Sequence, residues 1–276
     1  MSRRSTALLP LALLLATGCP SGEGAATGSA GTPPPAAQDA LEQVQARKKL
    51  VVAMDVGYDP FEVELPDGTY AGFDVDLARE IAQDLGVELE LKNVAWVSII
   101  PELQNGKVDA IISGMSDTPE RRKSVSFSRA YFDIGQVVVK RKGDDRIKSY
   151  KDLNKKGMVI ATQQGTTGEQ AIKDHIPEAE IRQFDKIDLG CVDLAQGRCD
   201  AVVFDHPFLM KYVSSRTSEL EGIWEPFTQE KLAVAIRLDS PKLVEAVDRT
   251  IERLEQSGAL QELVKKHFPA LAGEKK

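Results

Sequence analysis

Beyond its first twenty residues the 276-residue chain has no apolar run long enough to span a bilayer, which excludes a transmembrane helix from the remainder. Histidine and cysteine are scarce, at three each. His175, His206 and His267 keep no metal-ligand spacing with one another or with Cys191 and Cys199, so neither a metal nor any other cofactor is expected. No Ser-His-Asp or Cys-His arrangement supports nucleophilic catalysis. Clustered basic charge is also missing. Lys and Arg number 35 against 42 Asp and Glu, for a net charge of −7, and the runs RRK (121–123) and KRK (140–142) are brief. Phosphate backbones demand basic clusters, so nucleic acid is not an expected partner. Eight residues of helix would hold Cys191 and Cys199 about 12 Å apart, out of disulfide range, so a bridge requires the chain to reverse between them. Export would permit one chemically, and the spacing leaves the question open.

The N-terminus explains the expectation of export. Arg3 and Arg4 precede an apolar run from Ala7 to Ala16, interrupted by Pro10 and followed by small residues. This is a secretory leader, too short to be a stable span. ATGC (16–19) resembles a bacterial lipoprotein cleavage box, with Ala16 where such boxes more often carry Leu. The resemblance implies that 1–18 is removed and that Cys19 is lipidated, with palmitate, anchoring the protein to the membrane at the periplasm or cell surface. A secreted protein with an incidental cysteine is the alternative. Residues 19–45 begin with a Pro-, Gly- and Ala-rich stretch unable to pack, and are read as a flexible tether reaching a few nanometres. Such a distance suits a membrane-embedded partner.

From Lys49 onward, short apolar strands alternate with amphipathic helices. KLVVAMDV is a strand, GFDVDLAREIAQDLG a helix stopped by Gly86, VELELKNV a strand, SIIPELQNG a short helix and KVDAIISG a strand. After QVVVKRKG the pattern restarts with GMVIATQQGTTGEQAIKDH, CVDLAQGR and CDAVVFDHPFLMKYV. A last strand, LAVAIRLD, precedes two helices broken at Ser257-Gly258. This pattern predicts α/β lobes with ligands at the C-terminal ends of parallel strands, where Asp55, Trp96 and residues 113–116 fall. Lobe one is expected over 46–140 and 230–276 and lobe two over 141–229, with hinge crossings near Lys140 and Gln229.

SGMSDTPER (113–121) reads as a strand end running into a helix start, with Thr118 as N-cap, Pro119 in the first position and Arg121 in the first turn. Free N–H groups and a guanidinium fork make a carboxylate receptor. Together with DVGYDPFE, GFDVDLAREIA, IIPELQNGKVDAIISGMSDTPER, QGTTGE and GRCDAVVFD, this segment gives the chain a specific resemblance, over 48–268, to extracytoplasmic solute-binding proteins of the polar amino-acid ABC-transporter family. The resemblance implies a two-lobed, type II periplasmic-binding-protein-like fold, each lobe a mainly parallel sheet flanked by helices, joined by a two-crossing hinge. It implies a binding protein, expected monomeric, that delivers an L-amino acid to a membrane permease and is not an enzyme.

Residue by residue, the resemblance puts the ligand's α-carboxylate on Arg121, with Gly114, Ser116 and Thr167 around it, and the α-ammonium on Asp205. Asp205 could equally be the N-cap before His206. Trp96 and Tyr58 match aromatic walls, although VAWVSII is apolar enough to make Trp96 a core residue. Asp55 and Gln163 fall at the distal polar group. No Lys or second Arg stands near Asp55 in the sequence, which argues against an acidic ligand and favours glutamine or a basic amino acid. With Arg121 on one lobe and Asp205 on the other, the ligand would bridge the lobes and stabilise the closed state. Cyclohexadienyl dehydratases resemble the same proteins and are the enzymatic rival; their general acid is expected three residues past Asp205, where this chain has Phe208. A sensor that reports amino acids to a membrane receptor is the third reading.

Overall fold

A computed structural model describes residues 38–272. The leader, Cys19 and the first part of the expected tether lie outside the described residues. Before crossing between sheets the chain lays down β1 (Lys49–Met54), the hairpin β2 (Val63–Glu64) and β3 (Tyr70–Ala71), β4 (Glu88–Asn93), β5 (Ala110–Ile111) and β6 (Ser126–Ile134). It continues with β7 (Gln136–Arg141), β8 (Val159–Gln163), β9 (Glu180–Phe184), β10 (Ala201–Asp205) and β11 (Leu220–Ile223), then β12 (Glu230–Ile236). Helices α1 (Ala40–Arg47), α2 (Phe73–Leu85), α3 (Trp96–Gln104), α4 (Thr167–His175), α5 (Ile187–Ala195), α6 (His206–Ser214), α7 (Pro241–Ser257) and α8 (Ala259–His267) complete the frame.

Two five-stranded sheets result, in the orders β4-β1-β5-β12-β6 and β11-β7-β10-β8-β9. Each is half parallel. The βαβ strands pair in parallel, β4 with β1 with β5 and β10 with β8 with β9, whereas the strands that arrive from the other sheet pair antiparallel. β1 is apolar almost throughout because helices cover both of its faces. In α2, Phe73, Leu77, Ala78 and Ile81 turn inward at helical spacing, and Gly86 ends the helix in the left-handed region at φ 66°.

Two boundaries differ from the sequence reading. Residues 136–140 were expected in the first lobe but pair antiparallel with β10 in the second sheet, so the first crossing is at Gly135 rather than near Lys140. A Cβ on Gly135 would lie 2.2 Å from the Thr228 carbonyl oxygen, so only glycine lets the two crossings pass this closely. The stretch expected as tether to residue 45 also ends early. Asp39 caps α1 by accepting from the Leu41 N–H at 2.9 Å and accepts from the Lys242 N–H, and Ala40 and Val44 are fully buried. Strands β6, β9 and β11 were not apparent in the sequence. Their burial is interrupted by polar residues because β6, β9 and β11 are edges.

Helices α7 and α8 pack back on α2, and α7 also covers β6. The segment after α8 is fixed there by an aromatic cluster. Phe268 meets Phe61, Phe73 and Phe132 at centroid distances of 4.9, 5.4 and 4.7 Å. Cys191 and Cys199 are buried free thiols. Among the described residues no helix is long and apolar enough to cross a membrane. Phe268→Ala is expected to lower folding stability by about 3–5 kcal/mol, read from urea unfolding, as for other fully packed phenylalanines; a loss under about 1 kcal/mol would show that the C-terminal helices do not depend on this anchor.

Candidate functional site

Both sheets present strand ends to a common cavity. From the first side come Asp55 after β1, Tyr58 in the following loop, Trp96 opening α3, Ser113 and Gly114 after β5, and Arg121. From the second come Gln163 ending β8, Thr166 and Thr167 opening α4, and Phe204 and Asp205 ending β10. The space between them, counting the part open to solvent, is about 340 Å³. Eight of the nine expected ligand residues therefore line one space.

Ser116 is the exception. Its hydroxyl donates to Glu230 Oε2 at 2.6 Å and its carbonyl accepts from Arg121 Nη1 at 2.9 Å, so it stands behind the guanidinium and outside the lining. The helix expected at Thr118-Pro119 is also absent. One 3-10 turn, Arg121–Lys123, takes its place, and Thr118 Oγ1 already accepts from the Arg121 N–H at 3.2 Å. A turn so short offers no row of free donors. The first turn of α4, capped by Thr166, supplies instead the helix N-terminus that faces the cavity.

The Arg121 guanidinium hydrogen-bonds only carbonyls, those of Ser116 and, at 3.5 Å, Gly165, and no ion pair among the described residues includes it. Its guanidinium lies 5.1 Å from the centre of the Trp96 ring, within cation–π range. Burial pulls its pKa down, opposed by the charges of Glu230 and then Asp205. Trp96 lines the cavity and also packs against the core. It packs against the cluster that contains Ile99, while Nε1 donates to the Gly165 carbonyl at 3.0 Å.

Asp205 is buried, but its side chain caps nothing. Oδ1 accepts from Gln136 Nε2 at 2.5 Å and Oδ2 accepts from the Tyr58 hydroxyl on the opposite side. Burial and, next, nearby Glu230 push its carboxyl up to about 7, against the lowering effect of the Tyr58 and Gln136 hydrogen bonds and Arg121. Gln136 Nε2 also donates to Glu230 Oε1 at 2.9 Å, which links the two crossings to the site. Tyr58 is held in an aromatic stack, 4.7 Å from Phe61 and 5.7 Å from Phe208. Gly114, at φ 51°, lies beneath it; a Cβ there would come within 2.4 Å of Tyr58 Cε1, so glycine is required.

At the far end, Asp55 Oδ2 accepts from Gln163 Nε2 at 2.8 Å and Oδ1 accepts from Lys186 Nζ at 2.5 Å. The expectation that no lysine stands near Asp55 is thus corrected. Lys186 follows Asp55 by more than a hundred residues, and only the closing of one sheet on the other unites them. Sequence reasoning likewise missed Gln136, Glu230, Thr166 and Phe204. A polar residue flanking each crossing was the one available signal for the first two.

Behind Ser113 and Gly114 lie two buried acids. Glu62 Oε1 accepts from the Ser113 hydroxyl at 2.5 Å, and Asp74 Oδ2 accepts from the Gly114 N–H at 2.6 Å. Burial, then the charge of Asp74, raises Glu62 well above the usual carboxylate range, and burial raises Asp74 to about 7.

The chain matches the family model of bacterial extracellular solute-binding proteins, family 3, over residues 50–270. It is 31% identical to an L-cystine-binding protein of Escherichia coli strain K12, across 83% of this chain and 86% of that protein. It is 32% identical to an ABC-transporter glutamine-binding protein of Bacillus subtilis strain 168, across 83% and 84%. A crystal structure of an ancestral amino-acid-binding protein, a precursor of cyclohexadienyl dehydratase, superposes with a TM-score of 0.78 at 38% identity, covering 84% of this chain and all of that one. The chain belongs to solute-binding protein family 3 and has its two-lobed α/β fold.

Raised carboxyl pKa values mean that the folded protein holds protons the unfolded chain has released, so stability falls as pH rises from about 4 through 7. Each such group contributes at most about 1.4 kcal/mol per pH unit. Asp74→Asn is expected to flatten the dependence: urea unfolding without added amino acids should show a smaller loss between pH 5 and 7 than in the wild type, and parallel curves would count against a protonated Asp74.

Proposed function

We propose that this member of family 3 is the ligand-binding component of an ABC-type importer, capturing a polar L-amino acid between its two sheets and delivering it to a membrane permease. One observation carries the reading. Among the described residues, Arg121 in the cavity wall has no anionic side chain in direct contact, and Asp205 across the cavity is a buried carboxyl without a cationic one in direct contact. A zwitterion of amino-acid size satisfies both, its carboxylate on the Arg121 fork near the first turn of α4 and its ammonium on Asp205. Asp55, Tyr58, Trp96, Gly114, Gln163 and Thr167 complete the lining, and Ser116 acts through its carbonyl on Arg121.

The two sheets serve as the lobes, hinged at Gly135 and at the segment between β11 and β12. Ligand contacts on both sides favour closure by differential affinity. The protein acts as a monomer outside the cytoplasmic membrane, lipid-anchored through Cys19, and needs no cofactor. Its role is binding, not turnover. Where a dehydratase would place its acid, Phe208 is 4% exposed and stacks on Tyr58. Turnover of prephenate or arogenate by the purified protein would overturn this assignment.

Removing one member of a desolvated charge pair typically costs about 2–5 kcal/mol. Asp205→Ala is therefore expected to weaken binding of the preferred amino acid by at least about thirtyfold in titration calorimetry while the protein stays folded; a loss under threefold would refute the assignment of Asp205. A second expectation follows from its carboxyl near 7. A ligand ammonium favours the carboxylate, so binding below pH 7 expels a proton and affinity falls with falling pH. Calorimetry at pH 6 in buffers of different ionisation heat should detect proton release, and release unchanged in Asp205→Asn would assign it elsewhere.

A further inference from the structure

The distal end of the cavity is fixed by three side chains. Lys186, in the loop before α5, donates to Asp55 Oδ1 at 2.5 Å and to the Val56 carbonyl at 2.7 Å, so it straps the second sheet to the first. It does not line the cavity, and its side chain is 37% exposed against 7% for Asp55. Gln163 Nε2 donates to Asp55 Oδ2 at 2.8 Å and to the Asp185 carbonyl at 2.9 Å. Both of those partners only accept, so the amide can point one way alone: its NH₂ is committed and Oε1 remains as acceptor.

Two consequences follow for a ligand side chain that reaches this end. What remains there is acceptor capacity, namely Gln163 Oε1 and the unused positions of Asp55, which as a carboxylate has about four. The local charge, however, is already balanced, because Lys186 neutralises Asp55. Glu62, behind Ser113, accepts from the Ser113 hydroxyl through Oε1, and burial and then Asp74 raise it well above the usual carboxylate range. An amide NH₂ meets these acceptors without adding charge. A guanidinium or ammonium would share Asp55 with the Lys186 ammonium, like charge facing like.

Building on the amino-acid reading above, we propose that Lys186 is a specificity-determining residue: by pairing with Asp55 it selects an amino acid with a neutral amide side chain, glutamine foremost, over arginine and lysine. The residue works as an excluding element held just outside the ligand space.

Titration calorimetry of the wild type, Lys186→Met and Lys186→Arg with glutamine, arginine and lysine tests this. The wild type should bind glutamine at least tenfold more tightly than arginine or lysine. Lys186→Met should move the arginine-to-glutamine affinity ratio at least fivefold toward arginine, and Lys186→Arg, which keeps the charge, should move it less. A smaller shift in Lys186→Met, or a wild type that prefers arginine or lysine or fails to bind glutamine, overturns the proposal. Lys186→Gln is read in the same way if thermal melting shows that Lys186→Met is unfolded. A thermal-shift panel of the twenty amino acids separates the two levels. Stabilisation by any of them keeps the amino-acid reading whatever the ratios, whereas stabilisation by none removes that reading and this inference with it.

Discussion

Asp205 is a carboxyl group that folding has taken out of water and, among the described residues, left without a cation in contact, and much of the molecule is arranged around that cost. A buried acid persists only if hydrogen bonds, a proton or a counter-charge compensate it. Here Tyr58 reaches over from the first sheet and Gln136 from the first crossing, and Gln136 is held in turn by Glu230 at the second crossing. Asp205, the proposed partner of the ligand ammonium, thus shares one hydrogen-bond network with both crossings between the sheets.

Topology makes this possible. Because the chain leaves the first sheet at Gly135 and returns before β12, two short crossings lie side by side, with glycine permitting their approach. The parallel strands of each sheet point their C-terminal ends toward the other sheet, so Asp55 and Gly114 oppose Gln163 and Asp205. Aromatic packing stiffens the first side. Tyr58 is held by Phe61, which belongs to the same cluster as Phe268, so the polar hydroxyl at the cavity rests on the core that fixes the segment after α8.

The cavity combines charges that perform different tasks. Arg121 and Asp205 are complementary to the two ends of a zwitterion, and both depend on neighbours that set their orientation rather than on neighbours that neutralise them. Asp55 is the opposite case. It carries its own counter-ion in Lys186, and this pairing turns an apparently acidic pocket end into a neutral one.

Much of this was legible in the linear chain. Asp55 stands where an apolar strand pattern gives way to polar residues, and strand ends in α/β sheets are where ligands meet the chain, so local pattern sufficed to nominate it; Arg121 was nominated as a guanidinium beside an expected helix start, and Asp205 through the family resemblance. Helices α2 and α7 announced themselves by apolar spacing and by glycines at their ends. What tertiary structure alone decided was pairing at long range: that Lys186 neutralises Asp55, that Ser116 faces Glu230 rather than the cavity, and that Gln136–Arg141 joins the second sheet. The physical reason is common to all three. Hydrophobic periodicity encodes which face of an element is buried, but the partner a polar side chain meets depends on how two sheets from distant stretches of chain come to face each other, and no local spacing records that.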